Sequence, residues 1–94
     1  MNYELTVVLP EKATPAKKKA VDEIVEKLVK VSKGKILKKD DWGKLELFYP
    51  IKKESSGNFI FFELELEPEQ VKNLSQKLNL EEEIIRLLLV KKEN

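Results

Sequence analysis

The sequence predicts one α+β domain built in the order β-α-β-β-α-β, and three observations carry that prediction. Residues 3–9 alternate with a period of two, and an apolar stripe at helical spacing follows Thr14-Pro15. A second sharp alternation runs through residues 59–67. At 94 residues the chain can build one core but not two. A domain of this size buries roughly two thirds of the surface its unfolded chain exposes. The 41% hydrophobic content is enough to supply such a core.

The first strand sets Tyr3, Leu5, Val7 and Leu9 on one side and Glu4, Thr6 and Val8 on the other, and Pro10 closes it. Thr14 then offers a helix cap with Pro15 at the first helical position. Ala20, Val21, Ile24, Val25, Leu28 and Val31 recur at helical spacing, with Lys17, Lys18, Glu23, Glu26, Lys27 and Lys30 on the other face. Glu23 to Lys27 and Glu26 to Lys30 each run four residues in the favourable order, adding a few tenths of a kcal/mol apiece. Gly34 is the expected C-terminal stop.

A second extended region covers residues 35–51, with an interruption expected at Asp40-Asp41-Trp42-Gly43. Pro50 lies in its apolar part, Leu47-Phe48-Tyr49-Pro50-Ile51, and proline cannot donate to a sheet ladder. This strand therefore belongs at a sheet edge or carries a bulge. Glu54-Ser55-Ser56-Gly57-Asn58 is expected to turn. Beyond it Ile60, Phe62, Leu64 and Leu66 alternate with Phe59, Phe61, Glu63, Glu65 and Glu67. Pro68 opens a second helix whose stripe is Val71, Leu74 and Leu78, and Asn79 ends it. Residues 84–91 form the last strand, followed by a short polar tail. This order is the ferredoxin-like arrangement, a four-stranded antiparallel sheet with two helices on one face and the other face free. The second strand is an edge there, which is where Pro50 is permitted.

Charged residues make up 37% of the chain, against the usual share of about 25%. They are nearly balanced, with a net charge of +1. That balance argues against an RNA binder relying on counterion release alone. It permits a protein with one basic and one acidic face that binds beside another protein. The chain has no cysteine, hence no disulfide framework, which fits a reducing compartment. The start lacks the basic and apolar stretches of a signal peptide, and the longest apolar run, residues 87–90, falls far short of the roughly 20 needed to span a bilayer. A soluble, cytosolic protein is expected.

Catalytic chemistry is missing from the sequence. Without His or Cys, the commonest bases, metal ligands and thiol nucleophiles are absent. Ser55, Ser56, Asp40 and Asp41 suit turns, and Glu81-Glu82-Glu83 suits a solvated surface better than a metal site. The glycines stand alone at 34, 43 and 57, so no phosphate loop exists. Phosphate-hydrolysing enzymes of this topology grip phosphate with a basic loop after the first strand. Here that loop is Pro10-Glu11-Lys12-Ala13, and the chain's only arginine is Arg86. No enzyme, cofactor or metal is expected.

Binding is the better supported activity. Val8, Phe59 and Phe61 fall on the face opposite the helices, where single-strand RNA readers of this topology stack bases. Glu63, Glu65 and Glu67 continue that face with negative charge, which repels phosphate and suits a basic protein partner. A second reading tucks Phe59 and Phe61 under the long second strand. Candidate phosphate contacts are Lys52 and Lys53, Arg86, and Lys91 and Lys92, with a further run at Lys17, Lys18 and Lys19. For any single one of these lysines a merely solvated helix or strand face is the first reading and phosphate contact the second. Trp42 before Gly43 is either a packed anchor that shapes the bend or an exposed contact hot spot.

In combination, these residues resemble the bacterial sixth small-subunit ribosomal protein family. The resemblance rests on Tyr3-Glu4-Leu5, Asp41-Trp42-Gly43-Lys44 followed by Tyr49-Pro50-Ile51, Gly57 leading into Phe59-Ile60-Phe61-Phe62, and the ending Ile84-Ile85-Arg86-Leu87-Leu88-Leu89-Val90-Lys91. It covers nearly the whole chain. It implies a ferredoxin-like fold without catalytic activity or cofactor, in the cytoplasmic ribosome. It also implies binding to the central domain of small-subunit ribosomal RNA as a heterodimer with the eighteenth small-subunit protein. A basic partner would account for the near-neutral charge and could answer the glutamate row. The family usually follows Trp-Gly with two basic residues and sets a small residue before the tyrosine. This chain keeps Lys44 as a candidate RNA contact but has Leu45 and Phe48 at the other two positions. The alternative from another class is a ferredoxin-like regulatory or oligomerisation domain that binds a small ligand, or itself, through the open sheet face. A phosphate-ester hydrolase stands a distant third.

Overall fold

The alternating segments pair into one sheet because each has an apolar side to bury. The computed structural model describes residues 1–51 and 54–92, with side chains at all of these except 46–51, 54 and 55. In chain order the elements are β1 (Asn2–Pro10), α1 (Pro15–Val31), β2 (Lys35–Ile51), β3 (Glu54–Glu65), α2 (Pro68–Asn79) and β4 (Arg86–Lys91). The sheet order is β2-β3-β1-β4, with every neighbouring pair antiparallel. This is the expected ferredoxin-like arrangement, and β2 lies at the sheet edge as Pro50 requires.

Register fixes the two faces. Leu5 pairs with Phe62 and Leu89, and Val7 pairs with Ile60 and Leu87, so these rows share the helix-covered side. Tyr3, Leu5, Val7, Leu9, Ile60, Phe62, Leu64 and Leu66 are buried there against Val21, Val25 and Val29 of α1 and Leu74 and Leu78 of α2. The α1 stripe is therefore 21-25-29, flanked by the half-buried Ile24 and Leu28, whereas Ala20 and Val31 of the expected stripe are exposed. The spacing of four keeps these three valines nearly above one another on the helix.

Both helices start as their sequences indicate. The Thr14 side chain accepts the Lys17 N–H at 3.2 Å, and Pro15 and Pro68 open α1 and α2. The end of α1 differs from expectation in detail. Lys33, not Gly34, takes the left-handed conformation, with φ 60°. Gly34 N–H bonds to Val29 O at 2.9 Å and Lys33 N–H to Lys30 O at 3.0 Å, which together close the Schellman pattern. Gly34 is needed for close approach instead: a Cβ there would sit 2.7 Å from Glu65 O and 2.8 Å from Leu66 Cδ1.

Two other boundaries move. The segment expected to turn is already strand, because β3 begins at Glu54 and Ser56, Gly57 and Asn58 are paired to β2 and buried. The expected interruption of β2 is a bulge in a continuous strand, seen as a register shift between Asp41 and Gly43. Glu67 leaves the glutamate row, since β3 ends at Glu65 and Glu67 sits at the start of α2. Ile84 and Ile85 precede β4 rather than opening it, although Ile85 N–H still bonds to Val8 O at 2.9 Å.

Candidate functional site

The candidate surface is the sheet face that α1 and α2 leave uncovered, together with the β4 edge. Its centre is built by the β2 bulge. The Asp41 carboxylate accepts the Gly43 N–H at 2.8 Å, while its other oxygen meets the Lys18 amine of α1 at 3.3 Å. Gly43 takes φ 73°, a conformation that favours glycine. With Asp41 tied to the helix side and Gly43 reversing locally, Trp42 swings out of the ladder. Its ring lies flat on Phe61, with centroids 5.2 Å apart and planes at 7°. Trp42 stays 49% exposed.

Both sequence readings of the aromatics hold in part. Phe59 and Phe61 are on the open face and half-buried, and the cover over Phe61 is the Trp42 ring. Val8 is on the same face but only 3% exposed, so it supports the surface from beneath. Register adds Leu45, Leu88 and Val90 to this face, all exposed. Sequence reading missed these three. Leu88 and Val90 are hidden in the unbroken run of residues 87–90, although the pairing of Thr6 with Leu88 and Glu4 with Val90 would have exposed them.

Toward one end the face turns acidic. Glu4 and Glu63 lie directly opposite each other, an unfavourable like-charge pair. The Lys92 amine bonds to the Glu63 carboxylate and answers that repulsion. The bond to Glu63, then its charge, raises the Lys92 pKa above the ordinary lysine value. Lys38 is registered with Glu63 and Lys35 with Glu65. Glu65 itself is exposed.

The candidate cations fall into separate groups. Arg86 and Lys91 are exposed at the two ends of β4, about 17 Å apart at strand rise, and neither has an ion pair among the described residues. Lys92 is paired with Glu63, and Lys44 with Glu11. Lys52 and Lys53 lie outside the described residues. In the other run, Lys17 meets Glu83 at 3.6 Å and Lys18 meets Asp41.

Glu11 organises the β1–α1 turn. One oxygen takes the Lys44 amine and the other accepts the Ser56 hydroxyl at 2.7 Å. Lys44 first, then Ser56, hold its carboxyl below the usual carboxylate range. Asn58 donates to Pro10 O and Glu11 O, each at 3.0 Å. The β1–α1 loop thus carries a carboxylate held by Lys44 and Ser56 rather than a basic side chain. Among the described residues no group of three or more acidic side chains converges as a metal site.

Comparison with known proteins agrees with this architecture. Residues 2–91 match the family described as ribosomal protein S6. The chain is 33% identical to small ribosomal subunit protein bS6 of Streptomyces griseus, over 98% of this chain and 96% of that protein. It is 34% identical to bS6 of Acidothermus cellulolyticus, over 96% of this chain and 94% of that one. It is 37% identical to bS6 of Wigglesworthia glossinidia brevipalpis over 72% of this chain, but spans only 60% of that relative. Among solved structures, 30S ribosomal protein S6 from Thermotoga maritima superposes with a TM-score of 0.89 at 23% identity, covering 97% of this chain and 86% of that one. The chemotaxis kinase CheA P2 domain of the same organism shares the fold at a TM-score of 0.65 and 18% identity, covering 97% of this chain and 96% of that one.

Proposed function

The chain belongs to the ribosomal protein S6 family, a family of small-subunit ribosomal constituents rather than enzymes, and on that premise we propose that it binds small-subunit ribosomal RNA jointly with a second protein. The RNA is the central domain of the small-subunit molecule, and the partner is the eighteenth small-subunit ribosomal protein. One observation carries this reading: the open face joins an apolar centre around Trp42 and Phe61 to an acidic end at Glu4, Glu63 and Glu65, with Arg86, registered with Val8, exposed at the β4 side of the same face. The open face suits a basic protein, since Trp42, Phe59 and Phe61 provide apolar area while Glu63 and Glu65 repel phosphate.

Phosphate contacts then fall to Arg86, Lys91 and Lys92, with Lys44 of the opposite edge strand β2 and, from the sequence, Lys52 and Lys53 as further candidates. Lys44 and Lys92 already hold carboxylates, so each contributes by exchanging a carboxylate for a phosphate. That exchange gains little, and a net charge of +1 adds no long-range attraction. The chain alone is therefore a weak RNA ligand, and the partner's charge completes the site. Gradient sedimentation tests the assignment: the chain should co-migrate stoichiometrically with small-subunit particles assembled without their own sixth protein. Recovery only at the top of the gradient contradicts it.

A further inference from the structure

We propose that the outward face of Trp42, stacked on Phe61 and bordered by Asp40, is a seat for an arginine side chain of a basic protein partner. This deepens the reading of the open face as a protein-docking surface and rests on it. Phe61 occupies one face of the indole, with the planes 7° apart, and the 49% exposure of Trp42 leaves the other accessible. The platform is fixed from behind. The Asp41 carboxylate holds the Gly43 N–H and the Lys18 amine, so the bulge that presents Trp42 is tied to α1.

The charge beside the ring selects a cation. Asp40 is registered with Phe61 and shares its face. Its carboxylate contacts the Lys38 amine at 3.4 Å, with both side chains exposed, and a pair of that kind exchanges readily for a better partner. The negative face of an indole attracts a cation placed over it. A planar guanidinium can lie flat on that face while its N–H fork reaches the carboxylate, whereas an ammonium satisfies only one demand at a time. A nucleobase could also stack on the ring, but its phosphates would meet Asp40 and Glu63.

Trp42 is the chain's only tryptophan, so 5-fluorotryptophan labelling gives one 19F resonance from the seat. The full chain is titrated with an arginine-glycine peptide, its lysine-glycine counterpart, a single-stranded oligoribonucleotide and the eighteenth small-subunit protein. The arginine peptide should shift the resonance saturably and bind at least about threefold tighter than the lysine peptide. Asp40→Asn should bring the two peptides to parity, while Glu69→Gln on α2 leaves the preference intact. Equal binding of both peptides, or a response to the oligonucleotide alone, overturns the seat. A heterodimer detected by calorimetry with the resonance unmoved also overturns it, although the reading of the partner then survives. An arginine preference without any heterodimer supports the seat and rejects that partner.

Discussion

Two glycines show how one residue type answers different demands. At Gly34 the demand is space, because an added Cβ would press on the Glu65 carbonyl and Leu66. At Gly43 a Cβ would meet nothing within 4 Å, and the demand is the positive φ. Gly34→Ala should therefore cost about 1–3 kcal/mol through overpacking, and Gly43→Ala about 1 kcal/mol through conformation. Urea denaturation separates them from wild type, and near-UV circular dichroism should register the second alone through Trp42. Glu11 supplies a pH-dependent contribution. Its pKa is lowered on folding, so its stabilisation is in force above the ordinary carboxylate value and is lost as pH falls through the folded value. Glu11→Gln should lower stability on the neutral side, converge with wild type in acid where Glu11 is protonated, and so flatten the acid limb of the profile. An acid limb as steep as wild type would contradict the Lys44–Glu11–Ser56 arrangement. None of this network was legible in the sequence, because Ser56 and Asn58 have turn-forming side chains. Backbone pairing to β2, and of Asn58 to Leu9, makes them strand residues and aims their side chains at Glu11 and Pro10.

Among the elements, those with an unambiguous period were legible and those set by tertiary contact were not. The bounds of α2 follow from Pro68, a stripe at three- and four-residue spacing and Asn79. The long β2 could be recognised as extended, but Asp40-Asp41-Trp42-Gly43 has the composition of a turn. It becomes a bulge because β3 is long enough to pair on both sides of it. The end of α1 misled for a similar reason. Lys33-Gly34 carries a glycine one position beyond the left-handed residue, since packing against Glu65 and Leu66 claims the glycine. Lys33→Gly should thus stabilise the protein by about 1 kcal/mol, removing the strain of a lysine at positive φ. Thermal and urea unfolding check it, and an unchanged or lower midpoint would contradict the geometry of this helix end.

On the scale of the whole molecule, the fold was legible because two alternating runs, two helix starts and one proline restricted the topology. The candidate site was legible as residue types and less so as an arrangement. Trp42 and Phe61 stood out separately, but their stack depends on a bulge, and the pairing of Lys92 and Lys44 with carboxylates depends on the register. Under the proposed function, those pairs would leave a chain with 18 basic and 17 acidic residues a weak RNA ligand on its own. Charge reversal at the open face tests the division of labour. Glu63→Lys with Glu65→Lys should weaken the heterodimer at least about tenfold and change monomer stability by no more than about 1 kcal/mol. Calorimetric affinity equal to wild type would remove the glutamate row from the interface.

Joint recognition of RNA is tested most directly by affinity for a central-domain ribosomal RNA fragment with and without the eighteenth small-subunit protein, at two salt concentrations. Tight, salt-sensitive binding that requires the partner is the predicted result. Equally tight binding by this chain alone, or none with a folded partner present, would contradict it.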